Sequence, residues 1–109
     1  MLEQPAELKK LLHFLEDNQA IDIKTIDVSE QTAVTDFMVI SSGRSSRHVK
    51  AIAMNVMEKM KLAQIPILGS HGLDGGDWAL IDFGDFVLHV MQPDTRAFYN
   101  LEALWQDNP

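Results

Sequence analysis

Apolar positions along the chain change their spacing several times, and each change marks an element. Behind Pro5, Leu8, Leu11, Leu12 and Leu15 recur at three- and four-residue intervals. This predicts a helix with Pro5 as its first residue, running to about Asn18 with one apolar stripe. Residues 21–28 read as a strand, but the apolar set changes parity between Ile23 and Ile26, so a bulge or an early end is expected there. Residues 29–35 are polar loop, and Phe37, Met38, Val39 and Ile40 form a continuous apolar run, the mark of a central strand covered on both faces. Ser45 or Ser46 is the candidate N-cap of a second helix, whose buried face is marked by Val49, Ile52, Ala53, Val56, Met57 and Met60. Residues 65–68 suggest a short strand, placed at an edge or a strand start because Pro66 lacks a ladder donor. Strand, helix and strand in that order favour a right-handed crossover between parallel strands.

Residues 78–91 carry the most specific pattern. Phe83-Gly84-Asp85-Phe86 places glycine at the first central position of a two-residue hairpin loop, as a type II′ turn requires. Counting outward, Phe83 faces Phe86, Ile81 faces Leu88 and Ala79 faces Val90, all apolar and all on one side of the pleat. The other side pairs Asp82 with Val87, Leu80 with His89, and Trp78 with Met91. One face of the hairpin is thus plain core. The reverse face mixes an indole, a thioether, an imidazole and a carboxylate.

Beyond Pro93, Asp94 or Thr95 can cap a last helix that would pack through Phe98, Leu101, Leu104 and Trp105. About three helices and five strands give an α/β chain with little material to cover both faces of its sheet. Two readings of the reverse hairpin face stand side by side: an open docking surface, or core sealed by the last helix.

Composition narrows the function classes. The 109 residues are 46% hydrophobic, enough for one core, and no repeat, low-complexity tract or linker divides them. A single domain over residues 1–109 is expected, with an N-terminal helix in 1–20 and an α/β core in 21–109. Cysteine is absent, which excludes disulfides, thiolate catalysis and thiolate metal sites. The start lacks a positively charged n-region and no apolar run reaches bilayer-spanning length, so no membrane association and a cytoplasmic location are expected. The net charge is −7, unlike that of a protein whose main task is gripping phosphate backbones. Residues 44–61 hold five bases against Glu58, whereas residues 74–107 hold seven acids (Asp74, Asp77, Asp82, Asp85, Asp94, Glu102, Asp107) against Arg96. An acidic second half suits a basic partner, and acids also keep a small domain soluble.

No catalytic constellation emerges. The Ser/Gly/Arg stretch at residues 41–46 lacks P-loop spacing and its lysine. The glycines of residues 69–76 precede no long helix, as a dinucleotide fingerprint would need. Asp82-Phe83-Gly84 matches the kinase magnesium triplet only in letters and reads as a hairpin corner. His13, His48, His71 and His89 are scattered, with no pair at metal-ligand spacing. His89 and Asp82 share a face only as diagonal neighbours, without a nucleophile or oxyanion site. No catalytic residue, metal or cofactor is expected.

Asp36-Phe37-Met38-Val39-Ile40 and Ser45-Ser46-Arg47-His48-Val49-Lys50-Ala51-Ile52-Ala53 resemble the ribosomal silencing factor, or Iojap-like, family. The motifs continue through Asp77-Trp78-Ala79-Leu80-Ile81-Asp82-Phe83-Gly84-Asp85, His89-Val90-Met91 and residues 96–105, in the family's order, over nearly the whole chain after the first helix. The resemblance implies a mixed sheet of about five strands with helices packed mainly on one face, in a nucleotidyltransferase-like topology without the catalytic carboxylates. It also implies a translational brake that binds the large ribosomal subunit through ribosomal protein uL14 and sterically keeps the small subunit from joining. The partner-binding residues suggested by the motifs together with the mixed hairpin face are Trp78, Leu80 and Met91 as apolar anchors and Asp82 and Asp85 as charge complements. Arg96, Tyr99 and Glu102 come from the final motif alone. A nucleotidyltransferase-like nucleotide-binding module or enzyme is the alternative, and a homodimer using the same apolar face is compatible with the first reading.

Overall fold

The structure, a computed structural model, describes residues 3–106, with the side chain of Gln106 left aside. Asp107, counted above in the acidic second half, lies outside the described residues. The elements are α1 (Ala6–Asp17), β1 (Ile21–Asp27), β2 (Phe37–Ser42), α2 (Ser46–Leu62), β3 (Gly69–His71), β4 (Trp78–Asp82), β5 (Phe86–Met91), α3 (Pro93–Tyr99) and α4 (Leu101–Gln106). The strands form one mixed sheet in the order β1-β2-β5-β4-β3. β2 and β5 pair in parallel at its centre, and every other pairing is antiparallel. The mixed five-stranded α/β architecture implied by the family motifs is therefore present.

α1 and α2 cover one face. Leu8, Leu11 and Leu15 of α1 meet Val49, Ile52, Ala53, Val56 and Met60 of α2 over Val39, Ala79, Ile81, Leu88 and Val90 of the strands. All of these are at most 1% exposed. Pro5 occupies the N-cap position of α1 with extended backbone, one residue outside the helix and not inside it as expected. Ser45 caps α2, its side chain accepting from the His48 backbone N–H at 3.1 Å. Gly76, at φ +75°, brings the loop before β4 against this cap, where a Cβ would come within 2.7 Å of the Ser46 side chain.

The β4–β5 hairpin has the register obtained by counting, with Ile81 opposite Leu88, Ala79 opposite Val90, Leu80 opposite His89 and Trp78 opposite Met91. Gly84 has φ +91°, and its N–H is held by the Asp82 carboxylate at 2.8 Å. Phe83 and Phe86 stack at 5.2 Å between ring centroids. The tight turn and the apolar pairs thus specify the same pairing.

Three local expectations need correction. The irregularity in β1 falls between Ile21 and Lys24, with Asp22 at φ +51°, earlier than the parity change suggested. Residues 65–68 form no strand. Ile65 and Ile67 tuck into the core from a loop, Pro66 has no donor to offer a ladder, and the edge strand is the glycine-bearing Gly69–His71. The last helix is broken in two at Asn100, which adopts left-handed backbone at φ 48°. Neither Asp94 nor Thr95 caps α3. Gln92 holds the N-cap position and Pro93 the start of the helix.

Candidate functional site

The strand registers lay out the reverse face of the sheet in rows. Ile26, Met38, Val87 and Asp82 lie side by side across β1, β2, β5 and β4. The next row runs Lys24, Ile40, His89, Leu80 and His71, and a third runs Ile21, Ser42, Met91 and Trp78. Period-two alternation places all of them opposite the α1–α2 core.

The terminal helices close one side of this face. Leu101 and Trp105 of α4 pack against Ile26, Val28, Met38, Ile40 and Met91. Gln31 fixes the end of α4 by donating from Nε2 to the Trp105 carbonyl at 2.8 Å. Arg96 then ties α3 to the irregular start of β1. Its Nη2 donates to the Asp22 carbonyl at 2.7 Å, its Nη1 to the Ser42 hydroxyl at 2.9 Å, and its Nε to Glu102 Oε1 at 2.9 Å. Arg96 is 9% exposed. Its hydrogen bond holds the Glu102 carboxyl below the usual carboxylate range, against the opposing effect of burial and with help from the charges of Arg96 and Lys24.

Toward β4 and β5 the same face stays partly open. Trp78, Leu80, Asp82 and Val87 are half-buried. The Tyr99 ring lies against Trp78 at 4.9 Å between centroids, and Phe98 meets Tyr99 edge-on at 5.1 Å. Tyr99 is 55% exposed and Phe98 80%, so the aromatic group projects beyond the sheet. Under it, the indole Nε1–H donates to His89 Nδ1 at 2.9 Å. Burial pushes the His89 imidazole down to about 4, which keeps it neutral at pH 7.

Of the residues singled out from the sequence, Trp78, Leu80, Asp82 and Tyr99 come together as surface. Asp85 is exposed at the hairpin turn, where its carbonyl accepts from the backbone of Asp36 and Phe37 at 3.0 and 3.1 Å. Met91, at 1% exposure, forms the floor beneath the helices. Arg96 and Glu102 are spent on each other and on β1 and β2. Phe98 and Leu104, expected to pack inward, are 80% and 68% exposed, because the turn at Asn100 changes which side of each short helix faces the sheet. Phe98 and Val87 are surface members that sequence reasoning did not single out. Alternation on β5 carries the signal for Val87, whereas nothing local marks Phe98.

Among the described residues, no three His, Asp or Glu side chains are grouped to hold a metal ion, and no helix is long and apolar enough to cross a membrane. A depression of about 290 Å³ opens beside Arg96, Asp22, Ser42 and Glu102.

A known family matches nearly the whole chain. The model of the family described as "Ribosomal silencing factor during starvation" matches residues 2–109. The chain belongs to the ribosomal silencing factor family. It is 42% identical over 98 residues to the ribosomal silencing factor of Zymomonas mobilis, covering 90% of this chain and 74% of that one. A crystal structure of a protein from Chromobacterium violaceum superposes with a TM-score of 0.92 at 41% identity, covering 96% of this chain and 88% of the other. A mouse protein named "Mitochondrial assembly of ribosomal large subunit protein 1" is 36% identical over 102 residues, 91% of this chain and 45% of its own length. The proteins it is similar to are thus named for ribosomal silencing and for assembly of the large ribosomal subunit.

Proposed function

We propose that the protein is a steric brake on translation in the cytoplasm. It docks on the large ribosomal subunit through uL14, and its bulk prevents the small subunit from closing. The observation that carries this reading is the partly open sheet face, where Trp78, Leu80, Val87 and the Tyr99–Phe98 pair form an apolar platform next to the Asp82 carboxylate. Aromatic anchors beside acids suit a basic protein surface, where the apolar centre supplies affinity and the charges supply steering and orientation. Asp85 adds to the acidic side, while Met91, Arg96 and Glu102 hold the platform in shape from behind. Exclusion needs only a rigid body in the way, so no catalysis and no cofactor enter the mechanism.

The nucleotide-binding alternative has weaker support. The depression beside Arg96 carries Glu102 and Asp22, whose charges oppose a phosphate, and the guanidinium is already paired. Strong thermal stabilisation by nucleotide and magnesium would favour that alternative.

Cosedimentation tests the main reading. The purified protein should travel with isolated large subunits and be missing from joined ribosomes. Trp78→Ala should weaken large-subunit binding by more than about 2 kcal/mol, as loss of a buried aromatic anchor does. Binding to joined ribosomes as tight as to free large subunits would refute the brake. Unchanged affinity in a folded Trp78→Ala variant would remove the indole from the interface.

A further inference from the structure

His89 is a buried ionisable side chain in the floor of the platform, between Ile40 and Leu80 in its row and between Val87 and Met91 along its face of β5. It is 5% exposed. We propose that His89 is a partner-recognition residue, its Nε2–H a fixed hydrogen-bond donor to a main-chain carbonyl oxygen of the docked protein. The inference rests on the docking role of this face and names one contact within it.

The tautomer follows from the neighbour. An indole N–H can only donate, and it meets Nδ1 at 2.9 Å, so Nδ1 accepts. A neutral imidazole that accepts at Nδ1 carries its hydrogen on Nε2, and burial keeps the ring neutral. Nε2 makes no hydrogen bond within the protein, and among the described residues no fully buried side-chain nitrogen or oxygen lacks a partner. Nε2 therefore keeps a small contact with solvent from this face of the sheet. In the free protein water can satisfy it. A partner that seats on Leu80 and Val87 expels that water, and the donor must then meet an acceptor or weaken the complex. The rigid strand and the indole hold the ring in place, so the donor discriminates by position. A carboxylate is the wrong acceptor here, because Asp82 stands in the adjacent row and repels a second negative charge. An uncharged carbonyl oxygen is the acceptor that a basic protein surface supplies everywhere along its backbone.

Two substitutions separate recognition from support of the indole. H89N keeps an acceptor near the Nδ1 position for Trp78 and removes the outward donor. H89Q keeps a donor at the reach of Nε2 and removes the inner acceptor. Affinity for isolated large subunits is measured for both, with thermal unfolding as the check on folding and Leu80→Asp as a test of the face itself. The expected result is that H89N weakens binding about tenfold, the effect of one carbonyl acceptor left unmet in a dried interface, and that H89Q weakens it less. Unchanged binding by H89N, or a greater loss with H89Q than with H89N, overturns the proposal and leaves His89 as a prop for Trp78. If Leu80→Asp abolishes binding at the same time, the docking role of the face survives. If Leu80→Asp also binds normally, both fail. Should H89N not fold, imidazole ¹⁵N NMR of the unaltered protein with isolated uL14 gives the answer. A Nε2 proton that shifts downfield and slows in exchange on binding supports the contact, whereas binding with no change at Nε2 overturns it.

Discussion

Along β5, neighbouring residues enter two different environments. Phe86, Leu88 and Val90 point into a core sealed by α1 and α2, while Val87, His89 and Met91 meet a face that α3 and α4 cover only in part. Among the described residues, the buried side chains of the sealed side are apolar apart from Ser41, and that side is closed by two helices of 12 and 17 residues. The other side is closed by helices of seven and six residues. Helices that short have little stability of their own, and here the Arg96–Glu102 ion pair and the tilted Trp78–Tyr99 ring contact hold them in place. One side of the sheet supplies the stability of the fold. The other exchanges some of that stability for a shaped and partly wet surface.

Perturbing each side in turn should break or sharpen this contrast. The largest effect belongs to the sealed side: Leu88→Ala should lower the unfolding free energy by about 3–5 kcal/mol, because the cavity cannot collapse between sheet and α2. Denaturant titration measures it, and a loss near 1 kcal/mol would mean that this core is as loose as its counterpart. Next comes Arg96→Ala, which leaves Glu102 with only the Lys24 ammonium at 3.7 Å and frees the start of β1, for a loss of about 3 kcal/mol. In R96A, amide exchange should rise in α3, α4 and residues 21–24 and not in α2. Uniform acceleration across the sheet would make the two sides one cooperative unit.

Acid should act on the open side as well. The folded His89 titrates near 4, below its ordinary 6.5, so the folded state binds fewer protons than the unfolded chain. Stability is complete above about pH 6.5, falls as the pH drops toward 4, and loses about 2–3 kcal/mol over that window. Glu102, whose carboxyl is also held down, adds a loss of the same sign as the pH falls through the carboxylate range. A variant with Gln at position 89 should show a flatter profile between pH 6.5 and 5. The smallest expected change is Leu80→Ser, which should cost under about 1 kcal/mol of stability at this half-buried position yet weaken large-subunit binding measurably. A larger stability loss without a binding defect would assign Leu80 to the core.

Legibility in the sequence followed the range of the interactions. α2 and the β4–β5 hairpin were readable because cap, turn glycine and periodicity lie within a few residues of the contacts they specify. The mixed character of the reverse face was readable for the same reason. The strand order was not, since the central β2–β5 pairing joins segments about fifty residues apart and leaves no local mark. The division of the reverse face was also hidden. It depends on a left-handed Asn100 between stretches that each look helical. Arg96 illustrates the limit for the site: an arginine in a short amphipathic stretch looks like surface, and only the carbonyls of Ile21 and Asp22, over seventy positions earlier, make it a buried clasp. The family motif containing Arg96 and Glu102 was visible, but not the division of labour within it.

The parallel pairing of β2 with β5 also governs how the chain emerges from synthesis. α1, β1, β2 and α2 leave the exit tunnel first, with one edge of β2 bare. That edge finds its mate only when residues 86–91 are released, and α3 and α4 follow at once to latch the assembled sheet. Until then the newborn chain presents an unpaired apolar strand, the feature most prone to stick to other chains. A nascent chain stalled before position 86 is thus the form of this protein most in need of a chaperone.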